Sequence, residues 1–342
     1  MVQKDKKKKS RIRILLVLLL LVIVIAFVYK PIINSGNCLI FEREYIDKNS
    51  LISSNNATPS SYERLTPVPT SKIEPDLSVV ISPDLINSPN AILIRLADES
   101  VLMHKNSDKK IYPASLTKMM TTIVAIENIA DLKEEIKLSN NTFQGLYEAG
   151  ASMAGFQPGE QVKAIDLLYG VMLPSGAECC IGLAEQIAGS ERDFVKMMNK
   201  KAVDLGMSNT LFENTIGLHN ENHYTTVEDL SILLSYALKN DTFRKIFTSS
   251  HYSTQPTNKH PEGITLYSTM FKRLSDQTII DGEILGGKTG YTSKAGLCLA
   301  TLAKVGNQEY ILITAGAKGD LNSEQYNITD ALAVYNSLWC NR

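Results

Sequence analysis

Ser115 and Lys118 stand three residues apart in the stretch Tyr112-Pro113-Ala114-Ser115-Leu116-Thr117-Lys118-Met119-Met120-Thr121-Thr122. After Pro113 the residues suit a helix, and the apolar pattern runs on through Ile123, Val124 and Ile126. Such a spacing on a helix puts two side chains on one face, one turn apart, so the Ser115 hydroxyl falls beside the Lys118 amine. A serine hydroxyl becomes a nucleophile when a neighbouring base takes its proton. A lysine serves as that base once burial or a second cation brings its pKa from ~10.4 towards ~7–8, a shift of ~3 units or ~4 kcal/mol. The positive end of the helix disfavours a protonated amine and favours an oxyanion at Ser115. Alone the pair is a weak signal, because Ser107-Asp108-Lys109-Lys110 repeats its spacing in what reads as a solvated turn.

Two later stretches give it company. Gly286-Gly287-Lys288-Thr289-Gly290-Tyr291 follows an expected strand, Thr278–Glu283. Lysine, a hydroxyl and glycine at a strand edge make a carboxylate-binding device: Lys288 supplies charge, Thr289 a hydrogen bond, and Gly290 close backbone approach. Between these elements lies Leu173-Pro174-Ser175-Gly176-Ala177-Glu178, a loop leading into a helix. His219 and His223 have the spacing of a helical metal pair, but they follow Gly217 in an Asn-rich segment that reads as loop. Cysteines 38, 179, 180, 298 and 340 show neither a Cys-x-x-Cys pair nor a zinc spacing, and buried free thiols fit them best. No metal or cofactor is called for.

The elements that position these residues follow from periodicity. Ala91–Leu96 and Val101–His104 read as a strand pair, followed by the Ser115 helix. Residues 160–245 are largely helical, with Val162–Met172, Glu178–Ala188, Glu191–Leu205 and Thr226–Lys239 as segments. The period then changes: Thr265–Arg273, Thr278–Glu283, Leu297–Val305 and Tyr310–Ala315 read as strands, and Asp330–Trp339 closes with a helix. Strands, a helical insert, more strands and a last helix imply an α/β chain with one sheet built from both ends.

The 342 residues are 44% hydrophobic and 21% charged, an ordinary globular balance. Residues 1–13 carry a net charge of +6 and the remainder −7. A mildly acidic body gives no electrostatic reason to expect nucleic-acid binding. Ile14–Tyr29 is an unbroken apolar run flanked by Arg11, Arg13 and Lys30. At ~1.5 Å per residue it spans ~24 Å and crosses a bilayer with snorkelling flanks. A cleaved signal peptide is the alternative, but Lys30-Pro31 follows the run where a small-residue cleavage site would stand. The expectation is a basic cytoplasmic tail at 1–13 and a transmembrane anchor at 14–30. A flexible extracellular stalk at 31–85 and a folded domain at 86–342 would follow. About 50 flexible residues reach roughly 40 Å.

Taken together, these motifs resemble the serine-type D-alanyl-D-alanine carboxypeptidases, low-molecular-mass penicillin-binding proteins related to class A β-lactamases. That family carries Ser-x-x-Lys, then Ser-x-Asn, then Lys-Thr-Gly. The likeness runs from about Ala91 onward and includes Gln157-Pro-Gly-Glu160, Leu167–Gly176, Leu205-Gly-Met207, Asn214-Thr-Ile-Gly-Leu218 and Gly287–Gly296. One departure stands out: the second motif reads Ser175-Gly176-Ala177, so a methyl group replaces an amide that orients substrate and lysine. A literal Ser139-Asn140-Asn141 lacks the Leu-Pro-Ser-Gly context.

The resemblance implies a β-lactamase/transpeptidase-like fold, a mostly antiparallel sheet flanked by N- and C-terminal helices with an inserted helical subdomain. It also implies removal of the terminal D-Ala from peptidoglycan stem peptides ending in D-Ala-D-Ala. Ser115 would form an acyl-enzyme, Lys118 would take its proton, and Ser175 would relay a proton to the leaving amine. Lys288, Thr289 and Gly290 would hold the carboxylate, and the N–H groups of Ser115 and Tyr291 would form the oxyanion hole. β-Lactam antibiotics would acylate the same serine. Many relatives add a C-terminal β-rich domain and anchor helix; here anchoring is expected at the N-terminus, with the catalytic domain outside the cell. Membrane-anchored relatives of this size accompany glycopeptide resistance, which the resemblance leaves open beside wall maturation. Three other readings stand against it. A β-lactamase lacks its Glu-x-x-Leu-Asn loop here, a zinc peptidase lacks a ligand set, and a non-catalytic β-lactam sensor is kept in view by Ala177.

Overall fold

The computed structural model describes residues 81–274 and 276–340. The tail, the anchor and nearly all of the stalk expected from sequence lie outside the described residues. The body takes in part of that stalk: Ile81 is buried and its N–H donates to Leu102 O, and a 3-10 turn at Pro83–Leu85 follows.

In chain order the first hairpin is β1 (Asn90–Arg95) and β2 (Ser100–Lys105). A 3-10 turn at Ala114–Leu116 then runs into α1 (Thr117–Asn128). The short strands β3 (Glu135–Lys137) and β4 (Gln161–Lys163) pair with each other. The helical region holds α2 (Ala164–Met172), α3 (Ala177–Ala188), α4 (Glu191–Asp204), α5 (Val227–Ala237) and α6 (Asp241–Phe247). A second small hairpin, β5 (His251–Ser253) with β6 (Thr265–Tyr267), leads to β7 (Thr278–Ile279), β8 (Gly282–Thr292), β9 (Gly296–Val305) and β10 (Gln308–Ala317). The helix α7 (Tyr326–Cys340) comes last.

The main sheet has six strands in the order β2-β1-β10-β9-β8-β7, all antiparallel. β1 pairs with β10 from Asn90↔Ala315 to Arg95↔Tyr310, so the sheet is built from both ends of the chain, as expected. Alternation sorts the strands onto two faces. Leu93, Leu299, Leu312 and Ile284 pack with Ile328, Val334, Tyr335 and Leu338 of α7. Ile92, Ile94, Ala300, Leu302, Ile311 and Ile313 face the helical region, where Met119, Ile123, Leu167 and Leu183 complete the larger core. At ~25 cal/mol per Å² of apolar area, this two-sided burial dominates the folding energy. Among the described residues the N-terminal flank is the 3-10 turn at Pro83–Leu85, and α7 supplies the C-terminal one. Asp330 ties the two ends together, accepting from Ser88 N at 2.8 Å and Ser88 Oγ at 2.6 Å.

Several sequence expectations differ from the structure; the last helix, for one, starts at Tyr326 rather than Asp330. The helix expected from Val162 starts at Ala164, because Gln161–Lys163 pair with β3. The strand expected over Thr265–Arg273 ends at Tyr267, where Ser268 O and Met270 O instead accept turn bonds from Lys272, Arg273 and Leu274. The strand expected over Thr278–Glu283 is a tight hairpin with Asp281 at φ 57°, and β8 continues through Thr292. Among the described residues no helix is long and apolar enough to cross a membrane.

Candidate active site

Ser115 lies in the 3-10 turn that opens α1, beside a strained neighbour: Ala114 sits at φ 47°. A non-glycine residue there costs about 1–3 kcal/mol and persists only where its surroundings fix it. Two glycines do so. Gly217, at φ 83°, is pressed so closely on the turn that a Cβ would come 1.9 Å from Ala114 O. Gly290 of β8 also packs on it, where a Cβ would lie 3.1 Å from Ser115 N.

Lys118 Nζ stands 3.3 Å from Ser115 Oγ and donates to Ile216 O at 2.7 Å. Its side chain is buried, and desolvation lowers its pKa, against smaller opposing effects from Cys180, Glu178 and Cys179. The carbonyl that holds it belongs to a loop with its own supports. Asn214 Oδ1 accepts from the N–H groups of Ile216, Gly217 and Leu218, Glu191 Oε1 accepts from Thr215 N and Oγ1, and Thr121 Oγ1 donates to Thr215 O. The Asn214–Leu218 motif is thus the device that fixes the lysine.

Ser175 lies in the turn between α2 and α3 in the left-handed region, φ 69°. It is buried, and its Oγ has no hydrogen-bond partner among the described residues. The next residues are pinned: Gly176 N donates to Gly170 O, Ala177 N to Ser152 O, and Cys180 Sγ to Gly176 O. Glu178 Oε1 accepts from Ala154 N at 2.7 Å and Gly155 N at 2.9 Å, while burial raises its pKa.

Lys288, Thr289, Gly290 and Tyr291 are residues of β8, paired with Ala300, Leu299, Cys298 and Leu297 of β9. Lys288 is fully buried and donates to Thr289 O; burial first, then the Lys118 charge, holds its pKa well below the usual lysine value. Thr289 Oγ1 shares a hydrogen bond of 2.7 Å with Thr269 Oγ1. Thr269 was not legible as a site residue, since it sits in an irregular turn 20 residues earlier. The structure therefore brings the Ser115 turn, Lys118 and β8 together, with charge coupling between Lys118 and Lys288. Ser139 is engaged with Thr142 after β3.

Among the described residues no group of three or more His, Cys, Asp or Glu is placed to hold a metal. His223 is instead buried against Thr117, and Cys179, Cys180 and Cys298 are buried free thiols.

An antiparallel sheet with a terminal helix on one face, a helical insert on the other and a Ser-x-x-Lys pair at their junction is the β-lactamase/transpeptidase-like fold. The chain belongs to the peptidase S11 family, D-alanyl-D-alanine carboxypeptidase, which it matches over residues 78–319. It is 36% identical to D-alanyl-D-alanine carboxypeptidase DacF of Bacillus subtilis over 232 residues, 67% of this chain and 57% of that protein. It is 32% identical to DacC of Escherichia coli over 239 residues, 67% of this chain and 56% of that protein. The chain thus spans little over half the length of these relatives. Among solved structures it is similar to the Streptomyces K15 DD-transpeptidase, with a TM-score of 0.67 and 25% identity, covering 75% of this chain and 98% of that one.

Proposed function

We propose that the protein is a serine D,D-carboxypeptidase that removes the terminal D-alanine from peptidoglycan peptides ending in D-Ala-D-Ala. The observation that carries this reading is the Lys118 amine, buried, 3.3 Å from Ser115 Oγ and anchored on Ile216 O. A neutral amine donates one N–H to that carbonyl and turns its lone pair to the Ser115 hydroxyl. The names of the relatives support the substrate class.

In this mechanism Ser115 Oγ attacks the carbonyl carbon between the two D-alanines and its proton passes to Lys118 Nζ. The oxyanion is received by the N–H groups of Ser115 and Tyr291, each such donor being worth about 10²–10³ in rate. The C–N bond breaks, and the leaving amine takes a proton by way of Ser175. Water then attacks the acyl-enzyme, releasing the shortened peptide and freeing Ser115. The terminal carboxylate lies on Lys288, Thr289 and Gly290. Its negative charge restores the ammonium of Lys288 that burial disfavours. Beyond Ile284 the outer edge of β8 has no strand partner among the described residues, so an extended peptide can add to it. A β-lactam acylates the same serine.

Ala177 leaves the reading standing, because the lysine is held by a backbone carbonyl that no side-chain change at 177 removes. The anchor reading rests on the apolar run of residues 14–29 and its basic flanks. With the body outside the membrane, the reaction serves wall maturation or removes the D-Ala terminus that glycopeptides bind.

The test is D-alanine release from a D-Ala-D-Ala peptide by the full-length protein and its Ser115→Ala variant. Release that vanishes in the variant supports the proposal. A folded, penicillin-labelled protein that releases nothing overturns it in favour of a β-lactam sensor.

A further inference from the structure

His223 is buried at 2% exposure, one hydrogen bond from the helix start that bears Ser115 and Lys118, and unused by the mechanism above. Its Nδ1 accepts from the backbone N–H of Glu213 at 3.1 Å. A backbone N–H can only donate, so Nδ1 carries no proton, and the proton of a neutral ring sits on Nε2. Nε2 lies 2.8 Å from Thr117 Oγ1 and therefore donates to it. Thr117 is the first residue of α1, between Ser115 and Lys118. The ring is also braced edge-on by Phe212, with centroids 5.6 Å apart. The groups around it are thus Thr117 from α1, Phe212 and the Glu213 N–H from the preceding loop, and His219 on its own loop. Burial first, and His219 second, disfavours a proton on His223.

We infer that His223 is a positioning residue for the nucleophile: as the neutral Nε2–H tautomer it ties the start of α1 to the loop of residues 211–223, and so fixes Ser115 against Lys118. The inference rests on the proposed role of Ser115. The same loop that presents Ile216 O to the lysine thereby also grips the helix turn bearing the serine, and nucleophile and base share one support. Protonation of the ring removes the acceptor at Nδ1 and releases Glu213 N–H, so the device works only while His223 is uncharged.

The experiment is a double-mutant cycle on the rate at which a fluorescent penicillin acylates the full-length protein, using His223→Ala, Thr117→Val and the pair, with His223→Gln as the conservative variant. Gln offers an oxygen to Glu213 N–H and an N–H to Thr117. Each single truncation is expected to slow acylation roughly tenfold, as loss of one oriented hydrogen bond does. The pair should cost no more than either single change, and His223→Gln should recover most of the rate. Additive losses, or a wild-type rate in His223→Ala, overturn the inference. In ¹⁵N spectra of the wild type, His223 should show a bare Nδ1 and a protonated Nε2; the opposite tautomer overturns it without reference to acylation. A wild type that penicillin never acylates refutes the Ser115 reading instead.

Discussion

Gly217 and Gly206 make a matched pair. Both hold left-handed backbone, φ 83° and φ 79°, but nothing lies within 4 Å of a Cβ at Gly206, whereas a Cβ at Gly217 meets Ala114 O at 1.9 Å. Gly206→Ala therefore measures the conformational cost alone, about 1–2 kcal/mol. Gly217→Ala adds a collision that flexible side chains cannot relieve, since the obstacle is backbone. To move that contact from 1.9 Å past 3.0 Å, either the Ala114 carbonyl or the 214–218 loop must shift by about an ångström. The first displaces Ser115 and the second displaces the Ile216 carbonyl that holds Lys118. A misplacement of that size costs about 10²-fold in rate. Expected for Gly217→Ala are a stability loss above about 3 kcal/mol in urea unfolding and a ~10²-fold slower penicillin acylation. Gly206→Ala should lose about 1–2 kcal/mol and acylate at the wild-type rate. Equal rates in the two variants would refute the claim that Gly217 shapes the nucleophile turn.

Two further outcomes follow from polar contacts. Thr269→Val removes the partner of Thr289 Oγ1, so KM for a D-Ala-D-Ala peptide should rise about three- to tenfold, with kcat little altered, as steady-state kinetics would read. Burial lowers the His223 pKa to about 4, against an ordinary 6.5. The unfolded chain therefore binds the extra proton between these values, and stability falls as pH drops from about 6.5 to about 4, by about 3 kcal/mol in full. Urea unfolding at pH 7 and at about pH 4.5 should show that loss in the wild type and not in His223→Gln; an equal loss in both would assign it to other groups.

Much of the site was legible because it depends on local spacing. Ser115 and Lys118 meet through one helical turn, and Lys288 through Tyr291 lie on one strand. That strand was expected to stop at Glu283, since glycines and a lysine are poor strand formers, yet pairing with β9 carries it to Thr292. The helix α6 escaped detection because seven residues are too few for a periodic signal; Asn240, accepting from Phe243 N, caps its start. Gln157-Pro-Gly-Glu160 was legible as a motif but not as a device. Buried Glu160 accepts from Gln157 N, Thr257 Oγ1 and His260 Nδ1, and so fastens the segment between β5 and β6 to the helical region.

What could not be read were contacts made by the backbone or by residues far apart in sequence, and these bear on Ala177. Sequence assigns orientation of the lysine to an amide that this chain lacks. The structure assigns it to the Ile216 carbonyl, 98 residues away, and no residue type signals which carbonyl a fold will aim at an amine. The loop bearing that carbonyl is over-determined by Asn214, Glu191, Thr121 and Gly217. A backbone carbonyl held in this way is not removed by a side-chain change at position 177. It also moves the point of vulnerability: this site should be harmed more by a methyl group added at Gly217, about 100 residues from Ser115 in sequence but packed on its turn, than by the methyl group already present at Ala177.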